Sequence, residues 1–178
     1  MSFENLIDKV IDRIQNELDS SFEVEASGRH VHLSRKELDA LFGTGYELTK
    51  AKDLSQPGQY ASKERLTVVG PKGAFHNVVI LGPVRKESQV EVSLTDCLQL
   101  GVKAPIRESG DIEGTPGIVL VNGDKSVSLD KGLIVAKRHV HMTPEDAEKI
   151  GVKNHDIVKV KVEGARPLIF DDVVIRVS

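Results

Sequence analysis

Two short segments of the chain repeat the same pair of histidines. Residues 27–34 read SGRHVHLS and residues 136–143 read AKRHVHMT, so each copy has Arg-His-Val-His, an apolar residue and then Ser or Thr. In a strand, alternate side chains point to the same face, so His30 and His32 are predicted to project together. Two neutral imidazoles on one face suit a first-row metal ion, above all zinc.

The second pair, His139 and His141, is predicted to do the same on its own strand. Four imidazoles on paired strands could hold two metals side by side or one metal completely, and two metals would each keep open positions for chemistry. The alternative is that each pair only decorates a half-exposed strand. Recurrence in two matching strand-to-helix contexts favours the metal site.

An acid and a cation are the next candidates. In the segment QVEVS, Gln89, Glu91 and Ser93 share one face of a predicted strand. Glu91 is then displayed as a metal ligand or a base, unless it is merely a solvated strand residue. Arg85 follows a Gly-Pro turn, and loop residues often contact ligands.

Other reactive side chains have weaker claims. His76 and His155 lack histidine partners and are predicted to lie on the surface. Cys97 stands alone and is expected to be a small buried hydrophobe. Arg107 is a candidate anion contact with no stronger argument behind it.

Composition excludes several function classes. The net charge of −3 and 4% aromatic content, without Trp, argue against nucleic-acid binding. The phosphate-loop, dinucleotide-binding and Gly-x-Ser-x-Gly patterns are missing from the sequence. A single cysteine suits a reducing compartment, and no apolar run reaches the ~20 residues of a membrane span. We expect no membrane partner and a cytoplasmic protein.

The elements that must position these residues are mostly short strands separated by Gly and Pro. Predicted strands are 66–69, 77–82, 89–94, 117–121, 131–136, 156–162 and 172–177. Many short Val- and Ile-rich strands with close turns favour a mainly β fold, a barrel or sandwich, over a doubly wound parallel sheet.

Each histidine motif is followed by a short helix signal. Ser34 with Glu37 three residues later reads as a capping box, and Thr143 precedes a Pro at the first helical position. These helices are predicted to end near Gly43 and Gly151. The repeated unit is therefore a strand carrying His-x-His and then a short capped helix.

A third helix is predicted at the N-terminus. Apolar residues recur at steps of three and four over residues 3–18, which is the stripe of an amphipathic helix. A polar stretch separates it from the first histidine motif, so it is read as an extension rather than a core element.

Seven motifs together resemble one known family. The chain resembles the phosphate propanoyltransferases of the propanediol-utilisation type, also called PduL-type phosphotransacylases. The resemblance runs from about residue 24 to residue 178. The motifs, in chain order, are SGRHVHLS, QPGQYAS, VVGPKG, LGPVRKESQVEVSLTD, GTPGI, AKRHVHMT and FDDVVIRV.

This resemblance implies the reaction acyl-CoA + phosphate ⇌ acyl phosphate + CoA, with short acyl groups such as acetyl or propanoyl. It also implies two zinc ions and two small β-barrel domains with short capping α-helices. Residues 23–43 plus 137–178 would form the first barrel, with both His-x-His strands, and residues 44–136 the second. Residues 1–22 would be the amphipathic extension.

Site roles follow from the same resemblance. The implied metal ligands are His30, His32, Glu91, His139 and His141. Arg85 would contact phosphate, and Arg85 and Glu91 would be the catalytic side chains. Phosphate would attack the thioester directly, so neither Cys97 nor a serine is needed as a covalent nucleophile.

Two features bear on the ends of the chain. Family members typically continue past the FDDVVIRV-like strand into a segment with another metal-binding histidine, whereas this sequence ends at Ser178, which would leave one zinc short of a ligand. Some members use an amphipathic extension to enter bacterial microcompartments. Residues 1–20 would then meet a shell or core, or else dock on their own protein or mediate formation of a homo-oligomer.

Two rival functions stay open. A metallohydrolase using zinc-bound water is equally permitted by the histidine pairs alone. A noncatalytic, metal-stabilised microcompartment module is the third reading. Dependence on CoA separates the transferase from the hydrolase, and turnover separates both from the module.

Overall fold

The computed structural model describes residues 6–11, 14 and 27–177. Within residues 27–177 the chain forms twelve strands and three short helices, which confirms a mainly β fold. The strands are β1 (His30–His32), β2 (Lys50–Asp53), β3 (Tyr60–Val69), β4 (Ala74–Gly82), β5 (Gln89–Val92), β6 (Ile106–Arg107), β7 (Val119–Asn122), β8 (Lys125–Ser128), β9 (Leu133–Ala136), β10 (His139–Met142), β11 (Ile157–Val162) and β12 (Leu168–Val177). The helices are α1 (Arg35–Phe42), α2 (Leu94–Leu100) and α3 (Pro144–Ile150).

These strands make two mixed sheets. The larger has the order β6-β9-β5-β1-β4-β3-β7-β8, with β2 paired to β3. The smaller has the order β10-β12-β11. Among the described residues both pairing paths are open, so closure into two barrels stays a prediction, as does the division into domains.

The expected pairing of the two histidine strands is wrong. β1 pairs in parallel with β4 and antiparallel with β5, while β10 pairs in parallel with β12. β1 is buried throughout, and buried backbone amides and carbonyls need partners on both edges of the strand. The middle of the chain supplies both partners, which leaves no edge of β1 for β10.

The internal duplication is larger than the histidine motif. β1, β4 and β3 are arranged as β10, β12 and β11 are: a histidine strand, a parallel neighbour and an antiparallel third strand. His30 is opposite Val79 and His139 is opposite Val174, at the same position of the matching segments NVVI and DVVI. The first residues of these segments, Asn77 and Asp172, have φ values of 57° and 55°. The left-handed backbone tolerated by Asn and Asp is thus part of the repeat.

Strand β1 divides the core from the site. Val31 and Leu33 are fully buried in the apolar core, where α1 contributes Leu38 and Leu41. The histidines point to the other face, as the strand periodicity predicts. The core therefore fixes the direction in which His30 and His32 project.

The helix ends follow local sequence signals with one correction. Ser34 is the N-cap of α1 but makes no capping bond to the backbone; its hydroxyl instead contacts the Glu37 carboxylate, which also accepts a 2.9 Å hydrogen bond from Ser88. Thr143 caps α3 as predicted, accepting from the Asp146 amide at 3.1 Å. The predicted capping box fails at α1 because Ser88, from a distant loop, accepts the Ser34 amide hydrogen at 2.8 Å, which Glu37 would accept in a capping box.

Helix α2 was not predicted, because residues 89–94 were read as one strand. Ser93 ends the strand and starts this helix through a capping box with Asp96. The Asp96 carboxylate also pairs with Arg29 at 2.7 Å. This contact anchors α2 to the segment that leads into β1.

The predicted N-terminal helix lies largely outside the described residues. Residues 6–11 and 14 are helical, and their apolar side chains at positions 6, 7, 10, 11 and 14 are exposed. No helix in the described part of the chain is long and apolar enough to span a membrane.

Candidate active site

The centre of the site is a cross-strand contact between β1 and β5. In their antiparallel register His30 is opposite Glu91, and His32 is opposite Gln89. His30 Nε2 lies 3.4 Å from Glu91 Oε2, and His32 Nε2 lies 4.0 Å from Glu91 Oε1. Two imidazoles and a carboxylate thus converge, although Glu91 lies 61 positions after His30 in the sequence.

Both histidine motifs orient their first ring in the same way. His30 Nδ1 lies 2.9 Å from the Gly28 carbonyl oxygen, and His139 Nδ1 lies 2.6 Å from the Lys137 carbonyl oxygen. A carbonyl can only accept, so Nδ1 carries a proton in each ring, and in the neutral form of the ring Nε2 keeps the free lone pair. This is the tautomer that binds a metal through Nε2.

His32 is held neutral. Its side chain is 3% exposed, and this burial, with the positive charge of Arg85 and the neighbouring His30, lowers its pKa from 6.5 to about 3. Its Nδ1 is buried and makes no hydrogen bond within the described residues. A neutral ring with an available lone pair is a competent metal ligand at neutral pH.

Glu91 is held ionised. Burial favours the neutral acid, but His30, His32 and the hydroxyl of Ser109 outweigh it and lower the pKa from 4.5 to about 2. A buried carboxylate needs partners to remain charged. Glu91 therefore presents a full negative charge beside the neutral imidazole of His32.

Arg85 lies on the same side of β1. Its amide donates to the Leu33 carbonyl at 2.9 Å, and its guanidinium Nη1 donates to Ser109 Oγ at 3.1 Å. Burial lowers the pKa of Arg85, partly offset by the attraction of Glu91. A half-buried guanidinium with unused donors is suited to phosphate oxygens.

The second histidine pair borders the same region from the smaller sheet. Partial desolvation lowers the pKa of the exposed His141 from 6.5 to about 4; the charges of His139, Arg176 and Arg85 lower it further, and that of Glu91 opposes them. A cavity of about 230 Å³ separates the sheets here. Its lining residues are Gln56, Gln59, Arg85, Ser109, His141 and Arg176.

The structure divides the five predicted metal ligands into a cluster of three and a separate pair. Among the described residues, His30, His32 and Glu91 form one cluster whose ligand atoms all lie within 4.8 Å of one another. His139 and His141 form a separate pair with ring centroids 4.8 Å apart.

Three residues of the region were missed as functional candidates. Gln89 was noted only for its strand face, whereas Ser109 and Arg176 were not singled out. The register places Arg176 beside His141. The Arg176 guanidinium also donates to Glu108 at 3.0 Å. Its position directly after the DVVI copy of the duplicated NVVI/DVVI segment was the available signal.

The weaker candidates lie elsewhere. His76 and His155 are exposed, as predicted, and Cys97 is buried in the core at 6% exposure. Arg107 is exposed, with its Nε 3.5 Å from Asp111. None of these four lines the 230 Å³ cavity.

The donor set fits a zinc ion. Two Nε2 atoms and one carboxylate are a common zinc ligand set that leaves a position open, and the first ring already carries the supporting carbonyl contact. In His32 it is Nε2 that faces Glu91, at 4.0 Å from Oε1, so this nitrogen would be the one to bind the ion.

The chain is similar over most of its length to several curated proteins of one name. A phosphate propanoyltransferase of Enterococcus faecalis is 67% identical over 177 residues, covering 99% of this chain and 84% of that protein. One of Leptotrichia buccalis is 69% identical over 161 residues, covering 90% of this chain and 76% of that protein. One of Thermotoga maritima is 64% identical over 155 residues, covering 86% of this chain and 74% of that protein.

The family profile described as phosphate propanoyltransferase matches residues 23–178, which include every residue of the histidine–carboxylate cluster, Arg85 and the second histidine pair. The chain therefore belongs to the phosphate propanoyltransferase family of acyltransferase enzymes.

Proposed function

We propose that this chain is a zinc-dependent phosphate acyltransferase that interconverts acyl-CoA plus phosphate with acyl phosphate plus CoA. Propanoyl and acetyl are the proposed acyl groups. The observation that carries the proposal is the convergence of His30, His32 and Glu91 beside the half-buried cation Arg85. Family membership supplies the reaction class.

The histidine–carboxylate cluster would hold one zinc, and His139 with His141 would contribute to a second. When bound, zinc would supply Lewis-acid stabilisation of negative charge on the reacting oxygens. The chain's own part is to keep His32 neutral and Glu91 ionised, so that the donor atoms are available without a change in protonation.

Arg85 would bind and orient phosphate. Its guanidinium offers forked donors, and its partial burial strengthens their attraction for an anion. Ser109 fixes the guanidinium through Nη1, which limits the orientations that the bound phosphate can take.

The chemical step would be direct. A phosphate oxygen attacks the thioester carbonyl carbon, a new C–O bond forms, and the C–S bond breaks with release of the CoA thiolate. Cys97 is buried away from the cavity lining and is not needed as a nucleophile. In reverse, the thiolate attacks acyl phosphate and phosphate leaves.

CoA-dependent turnover tests the proposal. The full chain with Zn²⁺ is given propanoyl phosphate, with and without CoA, and thioester and free phosphate are measured. Thioester formation that requires CoA supports the transferase. Phosphate release without CoA would support the metallohydrolase, and metal binding without either product would support the noncatalytic module.

The finer architecture and location are part of the same proposal. The two sheets would belong to two small barrels, and the protein would be cytoplasmic or enclosed in a bacterial microcompartment. Exposed apolar side chains at residues 6, 7, 10, 11 and 14 support a docking role for the N-terminal helix. Unchanged co-purification with microcompartment shells after deletion of residues 1–20 would refute targeting by this segment.

A further inference from the structure

A buried amide connects the two halves of the candidate site. Gln89 is 2% exposed and lies on the same face of β5 as Glu91. Its Nε2 donates to Glu91 Oε1 at 2.6 Å and to Ser109 Oγ at 2.9 Å. Its Oε1 accepts from the Gly110 backbone amide at 2.8 Å. Both of its amide hydrogens and its carbonyl are therefore used.

The partners fix the orientation of this amide. An ionised Glu91 can only accept, so it must face the NH₂ group, and the Gly110 N–H can only donate, so it must face the carbonyl oxygen. Rotating the amide by 180° would oppose donor to donor and acceptor to acceptor. Gln89 is consequently locked in one orientation by groups on opposite sides of its side chain.

The same contacts lead on to the proposed phosphate site. Ser109 Oγ accepts from Gln89 Nε2 and also from Arg85 Nη1. A continuous path of hydrogen bonds thus runs from Glu91 through Gln89 and Ser109 to Arg85. Buried polar networks in which each member is satisfied hold their side chains in one arrangement.

We infer that Gln89 is a positioning residue that sets Glu91 for metal binding and couples it, through Ser109, to the guanidinium of Arg85. This inference rests on the proposed function, because it takes Glu91 as a metal ligand. Gln89 itself is not among the residues that line the 230 Å³ cavity, and its side chain acts through Glu91 and Ser109. Partners of metal-ligating carboxylates act in this way when they restrict the orientation of the carboxylate.

The test uses the full chain with Co²⁺ as a spectroscopic substitute for Zn²⁺. Gln89→Met keeps a side chain of similar length but removes all three hydrogen bonds. We expect the dissociation constant for Co²⁺ to rise about 10- to 100-fold and the Co²⁺ absorption bands to shift. The KM for phosphate should rise while the KM for acyl-CoA changes less.

Thr115→Val is the matched control. Thr115 is also buried. Its hydroxyl donates to the Ile112 carbonyl at 2.7 Å and accepts from the Gly132 amide at 2.9 Å. Neither of these hydrogen bonds involves Glu91 or Arg85. Both variants should lower stability, but only Gln89→Met should alter the metal spectrum. Ser109→Ala, which removes the partner shared by Gln89 and Arg85, should raise the KM for phosphate about 2- to 10-fold and provides the test if Gln89→Met does not fold.

The outcomes separate this inference from the proposed function. Wild-type Co²⁺ binding with unchanged affinity and spectrum in Gln89→Met, or unchanged phosphate KM in Ser109→Ala, would overturn the positioning role and leave the metal site standing. A wild-type chain that binds neither Co²⁺ nor Zn²⁺ would overturn the metal site and the positioning role together.

Discussion

His30 and Glu91 face each other directly across the antiparallel β1–β5 pair, with 3.4 Å between Nε2 and Oε2. The contact joins the first histidine motif to a strand from the middle of the chain. It requires neither the smaller sheet nor the second histidine pair. The first proposed metal position would therefore be formed entirely within the larger sheet.

His30→Ala should remove a ligand from this position. We expect zinc content to fall and thioester formation to drop by at least about 100-fold, the upper end of the effect of losing a supporting contact. His76→Ala is the control, because His76 is exposed and outside the cluster. Equal zinc content in the two variants, measured by atomic absorption, would contradict the assignment of His30.

Arg85→Ala should raise the KM for phosphate about 10- to 150-fold, because it removes charge-assisted hydrogen bonds worth about 1.5–3 kcal/mol. Arg85→Lys should recover part of the loss, since it restores the charge but not the forked donors. Steady-state kinetics with Arg107→Ala, an exposed cation outside the cavity, provides the comparison. If Arg107→Ala has the larger effect on phosphate KM, the role given to Arg85 is wrong.

Asp96→Asn should destabilise the protein in a pH-dependent way. Burial raises the pKa of Asp96, but hydrogen bonds from Arg29 and Ser93 lower it more, so its folded-state pKa lies below 3.8. The ionised carboxylate thus contributes stability above pH 3.8, and this contribution is lost as the pH falls through the lower folded-state pKa.

Urea unfolding at pH 7 and near pH 3 measures that difference. At pH 7 the variant should be about 1 kcal/mol less stable than wild type, a value kept small because Arg29 is partly exposed. The gap should narrow at the lower pH. Asp124→Asn, at an exposed turn, should show neither effect. If the difference in unfolding free energy between wild type and Asp96→Asn is the same at both pH values, the carboxylate does not contribute a pH-dependent part of the stability.

Cys97→Ala should leave turnover within about twofold of wild type, because the thiol is buried in the core and outside the cavity lining. The lost sulfur should cost about 1 kcal/mol of stability by creating a small void. Loss of turnover in a variant that remains folded by circular dichroism would instead indicate a covalent role for the thiol.

Gly132→Ala should be much more damaging than Gly123→Ala. Both glycines have positive φ, but a Cβ at Gly132 would lie 2.5 Å from the Ser88 carbonyl oxygen, whereas a Cβ at Gly123 would have no neighbour within 4 Å. We expect Gly123→Ala to lower the free energy of unfolding by about 1 kcal/mol through backbone strain alone. Gly132→Ala should lower it by at least about 3 kcal/mol. Thermal unfolding of the two variants measures the difference, and similar melting temperatures would contradict the clash.

Local features of this fold were predictable from the sequence, and its strand order was not. Alternation placed Val31 in the core and His30 with His32 on the other face, because one strand face must be buried. The left-handed glycine at Gly151 marked the end of α3. Each of these depends on neighbours within a few residues.

The errors have a common origin in distant partners. The repeated histidine motif suggested that the two copies pair with each other, but it contains no information on which strands cover the edges of β1. Gln89 acquires its role only because Ser109, 20 residues away, folds back onto it. Ser93 could have been recognised as a helix start from its Asp three residues later, although its place at the end of an apolar strand concealed that signal.

The unequal burial of the two histidine pairs gives the site a direction of approach. His30 and His32 lie behind strands on both sides of β1, whereas His141 is exposed and lies on a three-stranded sheet where β10 has one described neighbour. The cavity lined by His141 and Arg176 is therefore the side from which we expect a reactant to approach the buried Glu91. On that route the first pair would form the floor of the site, and the second pair its entrance.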